Sequence, residues 1–212
     1  MSNANPWQDF PHDIYERHMG HGNVRQLQML ARITGEQLAL VSDAQRPVVA
    51  MLGITDGNGL QNVQQGQYAS IIGMDINKEF LNICRARYSN LPLELHQIDL
   101  TIEHDRAAAI LAKADLVTAN LVVRHIGLDN FIAIAAKLTK PIVSATVQFD
   151  PDGDAVSHSG LEAEFERLQE HRQESGEPPL TAAMIDAGYG LTGRTEYALP
   201  NGKFFIRLDY QR

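Results

Sequence analysis

The sequence is short of cysteine: Cys84 stands alone, so no intrachain disulfide can form. It is also short of positive charge. Eighteen Lys and Arg against 26 Asp and Glu leave a formal net charge of -8. That argues against a polyanion as the main partner, because nucleic-acid binders carry a basic face. Arg25, Arg32, Arg85 and Arg87 make only small local patches. No apolar run reaches the length of a bilayer span. The opening MSNANPWQDFPHD has no basic region followed by an apolar stretch, so no secretory signal is read from it. The expected setting is soluble, reducing and cytoplasmic. The pattern G-x-x-x-x-G-K-S/T is missing, which excludes a P-loop nucleotide enzyme. Repeats and low-complexity tracts are missing as well.

What remains is an ordinary globular balance, 44% hydrophobic and 21% charged, over 212 residues. That is enough for one α/β domain with a full core. Residues 1–12 read as a loosely held polar arm. IYERHMGHG reads as a short helix ending near Gly20 or Gly22. Asn23, with Gln26 three residues on, resembles a capping box. The helix after it aligns Val24, Leu27, Leu30, Ala31, Thr34, Leu38 and Val41 on one stripe. From Pro47 the pattern changes to strand-length apolar runs alternating with helices. The strands are PVVAMLG, ASIIGMD, LELHQID, ADLVTANLVV and KPIVSATVQF. Asn77 caps a helix bearing Phe80, Leu81, Cys84 and Tyr88 on one face, so Cys84 reads as a buried thiol. Leu128, Phe131, Ala135 and Leu138 align on another. This alternation implies a parallel sheet covered on both faces.

The end breaks the rhythm. FDPDGDAVSHSG is polar, and a charged helix of about fifteen residues follows, read as a solvated face or a dimer contact. SGEPPL reads as a loop and TAAMIDAGYG as a short helix. TEYALPNGKFFIRLDY reads as a hairpin turning on Asn201-Gly202, with Phe204, Ile206, Leu208 and Tyr210 alternating after it.

The stretch LGITDGNG follows the first strand as a glycine-rich turn with Asp56 in its middle. A dinucleotide fingerprint, G-x-G-x-x-G, would need a third glycine where Asn62 stands. A pyrophosphate would also lie near the Asp56 carboxylate, a repulsive arrangement. Both points count against an NAD-dependent oxidoreductase, the main rival reading. Asp75 ends the second strand, Asp99 the third, and Asn120 lies in TANLVV at the end of the fourth.

Together these motifs resemble the class I S-adenosylmethionine-dependent methyltransferases over about residues 47–210. The resemblance implies an α/β fold: a three-layer Rossmann-like sandwich whose mostly parallel seven-stranded sheet ends in an antiparallel C-terminal hairpin. It implies a single domain, with a helical cap at 1–46, a cofactor-binding core at 47–150, an insertion or lid at 151–188 and the hairpin at 189–212. S-adenosyl-L-methionine is the implied cofactor. Gly53, Gly57, Gly59, Asp75, Ile76, Asp99, Leu100 and Asn120 are the implied cofactor-binding residues. Gly57 and Gly59 would let the backbone approach the cofactor. Asp75 would accept from both ribose hydroxyls and Asp99 from the adenine amine. Asn120 would reach the methionine end with its amide or backbone carbonyl. The turn departs from the family's usual form, with Gly53 where an acid is customary and Thr55 where a glycine is. No catalytic residue is assigned; Tyr15, His18, His125 and His158 are candidates near the mouth. His18 and His21 beside Glu16 lack a third ligand, so no metal is expected. The expected acceptor is a small molecule, with a protein group second and nucleic acid disfavoured. A non-catalytic cofactor-binding sensor or scaffold is the reading from a different class.

Overall fold

A computed structural model describes residues 5–151, 159–169 and 176–212. Its seven strands are β1 (Val48–Leu52), β2 (Ser70–Asp75), β3 (Leu93–Gln97), β4 (Leu116–Asn120), β5 (Ile142–Phe149), β6 (Gly190–Ala198) and β7 (Phe204–Gln211). They form one sheet in the order β3-β2-β1-β4-β5-β7-β6. The first five pair in parallel, and β7 pairs antiparallel with both β5 and β6. The chain order therefore reverses at β1, the switch point at which ligands of open α/β sheets bind. The central strands have no alternation: β2 is buried at every position and β1 and β4 at four of five. A strand covered on both faces needs apolar side chains on both.

The helices are α1 (His12–Gly20), α2 (Gln26–Ala39), α3 (Lys78–Arg87), α4 (His104–Leu111), α5 (Val123–Ile126), α6 (Leu128–Ala135), α7 (Glu162–Gln169) and α8 (Glu177–Asp186). One face of the sheet carries the larger core, including Leu111, Phe131, Ile134 and Met184. A second cluster around Leu60, Tyr68, Leu81 and Cys84 covers the other face. A third, containing Phe10, Tyr15, Ile33, Phe80, Phe165 and Phe205, joins the N-terminal region to α7 and the hairpin. Burial pushes the Cys84 thiol up to about 12, with Asp56 adding to it, so the thiol is inert at neutral pH.

Several local expectations need correction. The N-terminal arm is pinned: Pro6–Asp9 forms a 3-10 turn and Phe10 is fully buried. The Asn77 amide donates to the carbonyls of Trp7 and Phe10, both at 3.0 Å, while its oxygen caps α3 through Glu79 and Phe80 N–H. Asn23 is not the cap of α2. That helix starts at Gln26 behind Arg25, which holds a left-handed φ of 49° and makes no side-chain cap. SGEPPL is not a loop, since α8 begins at Glu177 and takes its prolines in the first turn, where no N–H is missed. The hairpin turn is longer than two residues. Leu199 N–H donates to Lys203 O, framing Pro200, Asn201 and Gly202, and only Gly202 adopts positive φ. Nor does β7 alternate simply, because Phe205 and Asp209 are buried on the face opposite Ile206, Leu208 and Tyr210. Finally, β3 lies at a sheet edge and is only partly covered.

Among the described residues, no helix is long and apolar enough to cross a membrane.

Candidate functional site

A cavity of about 180 Å³ opens over the carboxyl ends of the parallel strands. Following the sheet from β3 to β5, its wall meets Asp99, Asp75, Gly53, Asn120 and Gln148 in turn. α1, α2 and α7 complete it with Tyr15, His18, Leu30, Phe165 and Leu168. Phe165 and Leu168 are both buried, so the charged helix presents an apolar face here rather than a wholly solvated one. Ring contacts of Phe165 with Phe10 at 4.9 Å and with His18 at 4.1 Å hold this roof to the N-terminal region.

Asp75 is buried against the cavity. Its Oδ2 accepts from Thr55 N–H and its Oδ1 from Asn77 N–H, each at 2.9 Å. Ile76 N–H also acts on this carboxylate, and of its four lone pairs one remains for a ligand. Burial raises its carboxyl to about 6, against the lowering effect of those backbone donors. The N-cap of α3 is Asn77, so Asp75 is left for another task. Ile76 and Leu100 line the cavity beside the two acids. Asp99 has a local duty as well, its Oδ1 accepting from Thr101 N–H at 2.9 Å and from the Thr101 hydroxyl at 2.6 Å.

The glycine turn divides into two parts. Gly53, Ile54 and Thr55 line the cavity. Gly57 and Gly59 do not, and packing needs both of them to lack a Cβ. A Cβ on Gly57 would stand 2.8 Å from the Tyr88 ring, and one on Gly59 2.5 Å from Thr34 Cβ. Both glycines also hold positive φ, 87° and 100°. Thr55, where the resembled family has glycine, itself adopts a φ of 51°, and Leu121 at the end of β4 adopts 59°. Strained residues of this kind concentrate at functional sites.

Asp56 does not face the cavity. It is 2% exposed and accepts from Arg87 Nη1 at 2.7 Å and His12 Nε2 at 3.0 Å. Its charge is compensated within the fold, so it carries no weight against a phosphate-bearing ligand. Its task is to tie the turn to α1 and α3. Arg87→Met is expected to cost roughly 2 kcal/mol in denaturant unfolding. This is less than the full cost of orphaning a buried charge, because the His12 contact remains. Arg87 also reaches Glu16 at 3.3 Å. The cluster of His12, Glu16 and Asp56 has ligand atoms close enough for a metal ion, but Arg87 supplies the positive charge there. His18 is directed elsewhere, with Nδ1 2.6 Å from Ser159 Oγ.

The Asn120 side chain is committed to the fold. Its amide pairs reciprocally with Gln37, both hydrogen bonds at 2.9 Å, and its oxygen also accepts from the Thr146 hydroxyl at 2.7 Å. Gln37 in turn donates to Ser144 Oγ, which donates to Asp209. A buried polar chain thus runs from α2 through the sheet to β7. Of the two expected contacts, the one through the side-chain amide is taken by the fold.

Three of the four mouth candidates line the cavity; His158 lies outside the described residues. Burial, then the nearby Asp56, raises the Tyr15 phenol. Burial lowers His18 to about 4 and His125 to about 3, Arg124 adding to the effect at His125. Both imidazoles are therefore neutral at physiological pH. Among the described residues, His125 Nδ1 and Trp7 Nε1 are buried without hydrogen-bond partners, and the two rings meet at 4.8 Å. Trp7, Arg124, Gln26 and Gln148 also line the cavity, and no motif in the sequence points to them. Only Arg124 carried a signal, as the neighbour of His125.

No family model matches the sequence, and no curated protein sequence does. Solved structures do match. The magnesium protoporphyrin IX methyltransferase of Synechocystis PCC 6803 with bound SAM is 15% identical, with 97% of this chain and 93% of that one covered and a TM-score of 0.67. The geranyl diphosphate C-methyltransferase of Streptomyces coelicolor is 8% identical, with 89% and 80% covered and a TM-score of 0.62. The cyclase SpnF is 11% identical, with 98% and 95% covered and a TM-score of 0.66. The chain has the fold that these methyltransferases share. SpnF has it too, so the fold by itself does not select one chemistry.

Proposed function

We propose that this protein is an S-adenosylmethionine-dependent methyltransferase acting on a small molecule. The observation that carries the reading is Asp75, a buried carboxylate at the end of β2, facing a cavity and not used as a helix cap. The donor set suits this cofactor. Asp75 and Asp99 would accept from a ribose hydroxyl and an adenine amine, and the cation that lines the cavity, Arg124, belongs to the segment after β4. Asp75, Ile76, Asp99 and Leu100 would hold the adenosine part, and Gly53, Thr55 and the Asn120 carbonyl the amino-acid part. When bound, the cofactor supplies an activated methyl group. The chain's own work is to orient the acceptor in line with that methyl and to exclude water. α1, α2 and α7 are suited to the second task, since they cover the cavity. The two small-molecule methyltransferases that share the fold support this class of acceptor.

The division into a helical cap, core, lid and hairpin within one domain is part of the same proposal. So is a soluble cytoplasmic protein. The test is a transfer assay with methyl-labelled S-adenosylmethionine against a fractionated small-molecule extract. Label is expected in a low-molecular-weight fraction, and loss of that label in Asp75→Ala ties the transfer to this site. Cofactor binding without label in any small-molecule fraction would favour the sensor or scaffold reading, which the altered turn at Gly53 and Thr55 supports.

The titration of Asp75 gives a second expectation. Hydroxyl donors favour the ionised carboxylate, so cofactor binding releases its proton. Affinity for S-adenosylhomocysteine is expected to be level above about pH 7. Below the free-site value of about 6 it should fall by up to tenfold per unit. The sign for the free protein is opposite. Its folded form holds this proton more tightly than the unfolded chain does, so Asp75 adds stability as pH falls from 6 toward 4. Calorimetric titrations across pH 5–8 check the first, and thermal unfolding across pH 4–7 checks the second.

A further inference from the structure

The cavity is electrically polarised. Asp99 and Asp75 lie at its β3–β2 end, and Arg124 stands beyond β4 on α5. Arg124 is an unusual residue to find there. Its side chain is 19% exposed, and burial lowers its basicity. Its one ion pair among the described residues is loose, at 3.6 Å from Nη2 to Asp150 Oδ2. Asp150 is shared, with Lys203 Nζ also 3.6 Å from its other oxygen and the Gln148 amide donating to that oxygen. Arg124 makes no hydrogen bond to any described residue. A largely buried guanidinium whose donor fork is unfilled costs stability unless something else fills it. The cavity's apolar lining includes Trp7, Met19, Leu30, Phe165 and Leu168.

Resting on the methyltransferase reading, we propose that the acceptor is an apolar carboxylic acid whose carboxylate seats on the Arg124 guanidinium. The planar fork matches a carboxylate through two parallel N–H···O bonds. A phosphate dianion fits less well, because Asp150 stands beside the same guanidinium and opposes a second negative charge. The hydrocarbon body lies against Trp7 and the α7 residues Phe165 and Leu168. A neutral analogue of the same shape leaves the fork unfilled and loses the main polar contact. The acidic cofactor end repels the same carboxylate, so the acceptor enters in one orientation.

The test uses the full chain loaded with S-adenosylhomocysteine, titrated with 1-naphthoate and with its neutral counterpart 1-naphthamide. The acid is expected to bind at least tenfold more tightly. Arg124→Gln should abolish that preference while its affinity for S-adenosylhomocysteine stays within about twofold. Arg124→Lys, which keeps the charge without the fork, should hold an intermediate preference. Equal binding of acid and amide would overturn the proposal. So would an undiminished preference in Arg124→Gln, or binding of neither probe by the loaded protein. Failure of S-adenosylhomocysteine itself to bind is seen in the first titration and would overturn the cofactor reading instead, removing the basis of this one.

Discussion

Replacing Asp75 with alanine is expected to weaken S-adenosylhomocysteine binding by about 2.5 kcal/mol, roughly 70-fold. A charge-assisted hydrogen bond from a ribose hydroxyl would be lost in a site that already excludes much of the water. Such a bond is worth on the order of 1.5–3 kcal/mol, offset in part because a buried carboxylate is costly to keep ionised. Alanine also frees the N–H groups of Thr55 and Asn77, which now donate to the carboxylate. Some loss of thermal stability should therefore accompany the change. Asp75→Asn removes the charge while one amide oxygen keeps an acceptor in place, and its NH2 leaves one backbone N–H of the pair without a partner. It is expected to bind with intermediate affinity. Wild-type affinity in both variants would remove Asp75 from the ribose.

The second large effect is on the fold. Gly59→Ala is expected to destabilise the protein by roughly 3 kcal/mol, from left-handed strain of about 1–2 kcal/mol and overpacking of a similar size. The new Cβ would overlap Thr34, whose Cβ, Cγ2 and Oγ1 all lie within 2.7 Å of its ideal position. Thr34 cannot turn away freely, because its hydroxyl accepts from the Asn120 amide at 3.3 Å and it belongs to the buried polar chain through Gln37. The result also discriminates between two roles for the glycine. If it serves packing, unfolding is easier while the folded fraction still binds S-adenosylhomocysteine normally. If it serves close approach of a cofactor, affinity falls with stability unchanged. Denaturant unfolding and calorimetry on the same preparation decide it.

The sheet was legible because its signals are local and strong. Runs such as VVAML and SIIGMD have no other use in a chain of this composition, and Asn77 announces its helix by its side chain. The strand ends followed, and with them Asp75, Asp99 and the cavity position of Gly53. What the sequence hid is tertiary. Asp56 reads as a free acid in a turn, and only the arrival of Arg87 from α3 and His12 from α1 shows that its charge is compensated. Asn120 reads as a ligand-facing amide until Gln37, 83 residues earlier, is seen to occupy it. Gln37 itself lies on the buried stripe of α2, beside Thr34 and Leu38, where a polar side chain signals a buried partner. The two glycines looked alike in the turn because a missing Cβ leaves no trace of which neighbour needed the space. Trp7 reads as part of a loose arm because a single tryptophan among polar residues has no periodicity to mark it as packed. Arg124 sat next to a histidine already singled out, but a helix of four residues gives no periodicity from which to read its direction.

The central claim is that the cavity over Asp75 and Asp99 takes S-adenosylmethionine. Isothermal titration of the full chain at neutral pH with S-adenosylmethionine and, separately, with NAD tests it most directly. Saturable one-to-one binding of S-adenosylmethionine with no heat from NAD is the expected result. Binding of NAD alone, or of neither, would contradict it.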